Sequence, residues 1–234
     1  GPQADKLLYR KLQLKRKAKL KQRLSSFLFF QLPLCDPDEF FRRIFPHLRF
    51  LWTKTAWAFW WACLLAAILV VATHWSEVTS QIHGFLNWRN LLLAWGVLMG
   101  VKVLHELGHG LTCRHYGGEV HEMGLLIIVF TPCMYCNVSD AWTFRSNRDR
   151  LLVTMAGILT ELWVASIAAI LWGLTAPGVI NSLCYTMMFI CSVGNLLFNA
   201  NPLLRYDGYY ALSDYLEIPN LRIRSTLHLF DAFK

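Results

Sequence analysis

Long apolar stretches dominate the chain and recur four times between shorter polar segments. They occupy residues 55–73, 91–116, 151–174 and 181–199, and few charged side chains interrupt them. A helix needs about 20 predominantly apolar residues to cross the hydrocarbon core of a bilayer, and each stretch has roughly that length. The pattern therefore predicts an all-α integral membrane protein with about four transmembrane helices.

A shorter apolar run follows the second of these stretches and has a different character. Residues 119–130 become β-branched towards their end and are too few to cross a bilayer as a helix. We therefore predict a short membrane-associated β-strand or hairpin after the second helix. Because an extended segment can pair with a peptide along its edge, Leu125, Ile127 and Val129 are candidate substrate-pairing positions.

Composition and charge extend this prediction to the whole chain. The sequence is 55% hydrophobic and 16% charged, whereas an average soluble domain is about 25% charged. Asp36 or Asp38 is placed to cap a short helix at the membrane surface. The expected organisation is a basic cytoplasmic tail at 1–24, in which Gly1-Pro2 looks like a remnant of protease cleavage, an interfacial segment at 25–54, a membrane domain at 55–215 and a second cytoplasmic tail at 216–234.

The placement of Lys and Arg predicts the orientation of the helices. These residues concentrate before the first apolar stretch, within 117–150 and after the fourth stretch, and they favour the cytoplasmic side of a membrane. Both termini are therefore expected in the cytoplasm. The nine Lys and Arg of residues 6–24 favour contact with anionic membrane lipid, so nucleic acid is not expected as a partner.

The second apolar stretch carries the sequence His105-Glu106-Leu107-Gly108-His109, an H-E-x-x-H pattern. Four residues amount to about one helical turn, so both imidazoles point to one side and can bind one Zn²⁺. The intervening Glu106 can then act as general base towards a water molecule. Ionisable side chains at membrane depth are costly and point to function, which favours a catalytic site over an ordinary polar helix face.

With these residues the chain resembles the site-2 protease family of intramembrane zinc metalloproteases, and within it the bacterial branch of peptide zinc metalloproteases. The family combines H-E-x-x-H on a membrane helix with Asn-Pro followed by Asp-Gly two spans later, here Asn201-Pro202 and Asp207-Gly208. The phrases at 117–124 and 131–142 also resemble that branch, and the likeness covers about residues 25–225.

This resemblance implies a zinc metalloendopeptidase that hydrolyses a peptide bond of a membrane protein or peptide, with one Zn²⁺ per chain. Asp207 would be the third metal ligand beside His105 and His109, Glu106 the catalytic base, and Asn201 a support for the transition state. Relatives of this branch serve peptide export systems, which implies an export-system partner in addition to substrate and lipid. The implied location is the bacterial cytoplasmic (inner) membrane.

Glu161 departs from the family pattern. Many site-2 proteases carry an asparagine that assists at the oxyanion, and Glu161 occupies the corresponding position in the third apolar stretch. A glutamate there could be protonated, could orient a metal ligand from outside the coordination sphere, or could face a polar cavity. It is also the serious rival to Asp207 as third ligand.

A second function class stays open at this point. The chain could be a non-proteolytic zinc-binding membrane subunit of a peptide maturation or export system. Its zinc would then be structural and closed by a fourth protein ligand.

Cys133-x-x-Cys136 admits two interpretations. The two cysteines could be structural thiols, or a redox or metal-binding pair. No second C-x-x-C exists in the sequence, which favours the structural interpretation.

Overall fold

The computed structural model describes residues 29–85, 88–128, 131–218 and 220–232. The predicted basic tail at 1–24 lies outside them. In chain order the elements are β1 (Phe29–Cys35), α1 (Asp38–Leu48), α2 (Lys54–Thr73), α3 (Trp75–Phe85), α4 (Trp88–His115), β2 (Met123–Ile128), β3 (Thr131–Cys136), α5 (Asn147–Leu174), α6 (Val179–Phe189, continuing as a π-helix over Ile190–Asn199), α7 (Asp207–Tyr215) and α8 (Leu221–Ala232). Single 3₁₀ turns occupy Arg49–Trp52 and Ser139–Thr143.

Four helices, namely α2, α4, α5 and α6, are long and apolar enough to cross a membrane. They coincide with the four predicted stretches to within a few residues. In an apolar environment without water, the backbone N–H and C=O groups must hydrogen-bond to each other, and a helix satisfies all of them within one segment. The prediction of a mainly helical chain with four candidate spans and a short strand segment is confirmed at this level.

Helix α5 is the centre of the helical part, since it packs against α2, α4, α6 and α7. Its buried face is lined with small side chains, including Ala165, Ala168 and Ala169. Small residues let neighbouring helix backbones approach closely, which is the usual way in which helices pack at membrane depth. Towards the N-terminal end of α5, the buried face includes Gly157 and Glu161 and supplies part of the candidate site.

The last ten residues of α6 form a π-helix, and this stretch turns amide side chains inwards. Asn195 and Asn199 are both buried there, and the Nδ2 of Asn195 donates to the carbonyl of Ile158 at 3.0 Å. A π-helix widens the turn and changes which side chains face a neighbour, and such segments are frequent at functional sites.

The strands form one antiparallel sheet in the order β1-β2-β3. Strand β2 pairs with β1 on one side and with β3 on the other, so Leu125 and Ile127 have no free edge to offer a peptide. Their predicted role as substrate-pairing positions is therefore wrong, and Val129 lies outside the described residues. Pro33 and Pro132 lie on the outer strands, where the missing N–H is tolerated.

Three local elements differ from the prediction. Strand β1 lies within the segment expected to be interfacial, and it is a strand because it pairs with β2 from a distant part of the sequence. Helix α3 occupies the polar segment between the first two apolar stretches, and α8 lies within the expected C-terminal tail. Short amphipathic helices of this kind give a weaker sequence pattern than the long apolar spans.

A buried phenylalanine joins helix α1 to α4, beside the ion pair between Asp38 and Arg114. Asp36, two residues before the helix, accepts a hydrogen bond from the backbone N–H of Asp38 at 3.0 Å, while the N-cap residue itself is Pro37. Phe41 is completely buried, and its ring covers Gly110 of α4 so closely that a Cβ there would lie 2.3 Å from it. The neighbouring Phe40 remains 50% exposed.

We expect Phe41→Ala to destabilise the protein by about 3–5 kcal/mol, because it opens a cavity where α1 meets α4. Phe40→Ala is the matched control and should cost far less, since its ring is half exposed. Chemical unfolding of the purified protein in detergent would measure both changes. Equal destabilisation by the two substitutions would contradict the anchoring role of Phe41.

Candidate metal centre

Two histidines from one turn of α4 form the first half of the candidate site. His105 and His109 are four residues apart in the helix, are 4% and 6% exposed, and bring their Nε2 atoms to 3.1 Å from each other. The Nδ1 of His109 lies 2.7 Å from the carbonyl oxygen of Val153 on α5. A carbonyl only accepts, so the N–H of the neutral ring is on Nδ1 and the Nε2 lone pair is free for a metal.

Asp207 completes the group from a part of the chain almost one hundred residues away. It is the first residue of α7, and its Oδ2 lies 2.9 Å from the Nε2 of His105 and 3.3 Å from the Nε2 of His109. Burial opposes the charged carboxylate, whereas positive charge on the adjacent His109 and His105 lowers the pKa of Asp207 when no metal is bound. The carboxylate is therefore available as a ligand.

The three side chains have the composition and spacing of a zinc site. Among the described residues, His105, His109 and Asp207 are the only group of three or more metal-ligating side chains whose ligand atoms converge, and these lie within 4.8 Å of one another. Tetrahedral zinc with bonds of about 2.0–2.2 Å separates its ligands by about 3.3–3.5 Å. Two histidines with a carboxylate are also a common catalytic zinc set, so the residues fit the metal.

Glu106 follows His105 directly and lies beside this group. Its half-buried carboxylate interacts electrostatically with His105, His109 and Asp207. A carboxylate near the candidate ligands but outside the converging group can act as a general base.

Glu161 lies behind His105 and contacts it from the side opposite Asp207. Its side chain is 2% exposed, and its Oε1 lies 2.8 Å from the Nδ1 of His105, although the ring N–H does not point along this line. The same oxygen accepts from the Nζ of Lys102 at 2.7 Å and from the Nδ2 of Asn199 at 3.0 Å. Glu161 is thus next to a ligand rather than within the ligand group.

Gly157 lets the backbone of α5 run directly beside both imidazoles. A Cβ at this position would lie 2.4 Å from the Nε2 of His105 and 2.5 Å from the Nε2 of His109. Any side chain would therefore occupy the space in which the ligand atoms converge. Sequence reasoning did not single out this glycine, because nothing local marks a position that is crowded only by a distant helix.

Asn201 is placed differently from Asn199. Its Nδ2 donates to the carbonyl of Leu197 and its Oδ1 accepts from the backbone N–H of Leu203. These bonds hold the turn between α6 and α7, so Asn201 shapes the segment that carries Asp207. Its predicted support of the transition state stays a prediction, and Asn199, which sequence reasoning missed, makes the contact with Glu161.

An ion pair holds α7 against α5 and was not foreseen from the sequence. The Nε of Arg150 lies 2.8 Å from the Oδ1 of Asp214, with side chains only 14% and 5% exposed. Thr154 donates to the other oxygen of Asp214 at 2.9 Å, and the guanidinium of Arg150 lies 5.0 Å from the ring centroid of Trp142. Because α7 begins at Asp207, these contacts also fix the position of the third candidate ligand.

Cys133 and Cys136 do not form a redox pair in this arrangement. Both lie on β3, where three residues of strand span about 10 Å, and a disulfide requires Cα atoms within about 7 Å. Burial also raises the pKa of both thiols, which keeps them protonated and unreactive. The structural interpretation of the C-x-x-C is therefore the better one.

The fold and the site together define a mainly helical protein with four candidate membrane spans and a group of three side chains that could hold a metal ion. The chain is similar to "Putative peptide zinc metalloprotease protein YydH" of Bacillus subtilis (strain 168), with 23% identity over 152 residues. The match covers 64% of this chain and 57% of that relative, so little more than half of the relative is spanned. This distant likeness supports a zinc metalloprotease family and zinc as the metal.

No family model matches the chain, and no solved structure matches it.

We expect Gly157→Ala to abolish or strongly weaken zinc binding, because the added methyl group displaces both imidazoles. Gly96→Ala is the matched control on α4, since a Cβ at Gly96 meets nothing within 4 Å. Zinc per chain, measured by mass spectrometry of the purified protein, would decide. Full zinc content in the Gly157 variant would show that a methyl group at this position does not displace the imidazoles.

We expect Asp214→Ala to destabilise the protein by about 3–5 kcal/mol, because it leaves the charge of Arg150 buried without a partner. Glu217→Gln, two residues beyond the end of the same helix, keeps an oxygen that can accept from Asn147 and should change the stability by less than about 0.5 kcal/mol. Chemical unfolding in detergent measures both. If the Asp214 variant is as stable as the wild type, the ion pair does not hold α7.

Proposed function

We propose that this chain is an intramembrane zinc metalloprotease of the site-2 type, which hydrolyses a peptide bond of a membrane-embedded peptide or transmembrane helix. The convergence of His105, His109 and Asp207 beside Glu106 carries the proposal. The likeness to a protein named as a peptide zinc metalloprotease and the resemblance of the motifs support it.

In this reaction the residues have separate tasks. His105, His109 and Asp207 would hold the zinc ion, which supplies a Lewis acid that polarises a peptide carbonyl and lowers the pKa of water. Glu106 takes the proton from the attacking water and passes it to the leaving amine. Glu161 orients the imidazole of His105 from behind. Gly157 keeps the space before the imidazoles open.

The site lies near the ends of two candidate spans. His105 and His109 belong to the second half of α4, and Asp207 follows the end of α6, close to the part of α5 that contains Val153. By the placement of Lys and Arg, this is the cytoplasmic end of a protein with both termini in the cytoplasm. The cytoplasmic membrane of a bacterium is the location that the motif resemblance favours.

The outer edge of β3 is the better candidate for pairing with substrate, since β2 is covered on both sides. Strand β3 packs against α4, the helix that carries Glu106. A helical substrate must unwind before a peptide bond reaches the site, and added strand pairing would stabilise the extended form.

The non-proteolytic alternative is less well supported. A structural zinc site is closed by four protein ligands, whereas the converging group within the described residues has three. Three ligands leave one position for water or substrate, as catalysis requires. An export-system partner is compatible with either function and belongs to the proposal as a component that delivers or removes the peptide.

Three substitutions test the assignment of roles. We expect Glu106→Gln to keep its zinc and to lose about 10²–10⁴-fold in cleavage rate, because only the proton transfer is impaired. Asp207→Ala should lose zinc and activity, whereas Glu161→Gln should keep stoichiometric zinc. Metal analysis and mass spectrometry of cleaved membrane-spanning peptides in detergent provide the measurements.

Each opposite outcome has a distinct meaning. Equal cleavage by wild type and Glu106→Gln would favour the non-proteolytic subunit. Loss of zinc in Glu161→Gln with retention in Asp207→Ala would show that Glu161 is the third ligand.

A further inference from the structure

Lys102 is a charged residue within a candidate membrane span that the proposed reaction does not use. It lies three residues before His105 and four before Glu106, so all three share one side of α4. A lysine at membrane depth is costly and is kept only where it has a partner or a task.

The partner of Lys102 is Glu161 of the neighbouring helix α5. The Nζ of Lys102 lies 2.7 Å from the Oε1 of Glu161, and the two side chains are 23% and 2% exposed. A carboxylate removed from water to this degree needs a compensating charge and further hydrogen bonds. Lys102 provides the charge, and the amide of Asn199 on α6 provides a further bond at 3.0 Å.

The oxygen that binds Lys102 is also the oxygen that faces the metal ligand. Oε1 of Glu161 lies 2.8 Å from the Nδ1 of His105. Three helices therefore meet at a single oxygen atom, with a cation from α4, an amide from α6 and the carboxylate from α5. The position of this oxygen cannot change without loss of the contacts to Lys102 and Asn199.

We propose that Lys102 is a positioning residue, which acts through Glu161 to fix the imidazole of His105 for metal binding. Residues that orient a metal ligand in this way are worth about 10–100-fold in metal affinity. The inference rests on the proposed function for the identity of the metal. The expected effect of Lys102 is on the affinity for zinc and not on a step of the reaction.

The competing interpretation is that the ion pair only joins α4 to α5. In that case its removal changes stability, while the affinity of the folded protein for zinc stays the same. Zinc affinity therefore separates the two interpretations.

The test is a double-mutant cycle on the full chain in detergent, with the dissociation constant for zinc measured by chelator competition. We expect Lys102→Met and Glu161→Gln each to weaken zinc binding by about 10–100-fold. The double variant should bind zinc no more weakly than Glu161→Gln alone, because the two residues act as one unit. Lys102→Arg should keep most of the affinity, since it preserves the cation.

Lys54→Met is the matched control, since Lys54 begins another candidate span, α2, and is exposed. It should leave the dissociation constant unchanged. Wild-type affinity in Lys102→Met, or a loss in the double variant equal to the product of the single losses, would overturn the proposal.

If Lys102→Met does not fold, because it leaves the carboxylate of Glu161 unpaired, Lys102→Gln replaces it, since its amide can still donate to Glu161 without carrying a charge. Weaker zinc binding by Lys102→Gln than by the wild type supports the proposal, and wild-type affinity overturns it. Absence of cleavage by the wild type would count against the proposed protease and would leave this result unaffected.

Discussion

One polar face of α5 determines where every part of the candidate site lies. Arg150, Val153, Gly157 and Glu161 recur at intervals of three or four residues and therefore lie along one side of the helix. Arg150 holds α7 in place, and the carbonyl of Val153 accepts the N–H of His109. Gly157 leaves room for both imidazoles, and Glu161 contacts His105. The H-E-x-x-H motif supplies ligands, and α5 supplies the surface that orients them.

The same face explains how a ligand distant in sequence joins the histidines. Asp207 begins α7, and seven residues later Asp214 binds Arg150 and Thr154. The other end of α7 is fixed by close contact, because a Cβ at Gly208 would lie 2.4 Å from the backbone of Ala200. The helix is therefore held at both ends, and the carboxylate cannot move away from the imidazoles without breaking one of these contacts.

Sequence reasoning succeeded where the signal was local. The four apolar stretches predicted the long helices, since length and composition alone decide whether a segment can span a bilayer. The spacing of His105 and His109 predicted that they share a helix face, and the structure brings Asp207 to them. Sequence reasoning failed where a distant segment determines the local structure. Phe29–Cys35 is a strand only because β2 lies beside it, and Gly157 is crowded only by another helix. Leu125 was misjudged because a strand pattern does not reveal how many neighbours the strand has.

The distribution of charge in the site gives an independent reason for a divalent cation. If all three ionise beside neutral imidazoles, the carboxylates of Asp207, Glu161 and Glu106 carry three negative charges, and the ammonium of Lys102 supplies one positive charge. Buried charges without compensation are strongly unfavourable. A bound Zn²⁺ would supply the two positive charges that are missing and would leave the group neutral. Lys102 is essential to this balance, because without it the carboxylate of Glu161 would add a charge that one zinc ion does not offset.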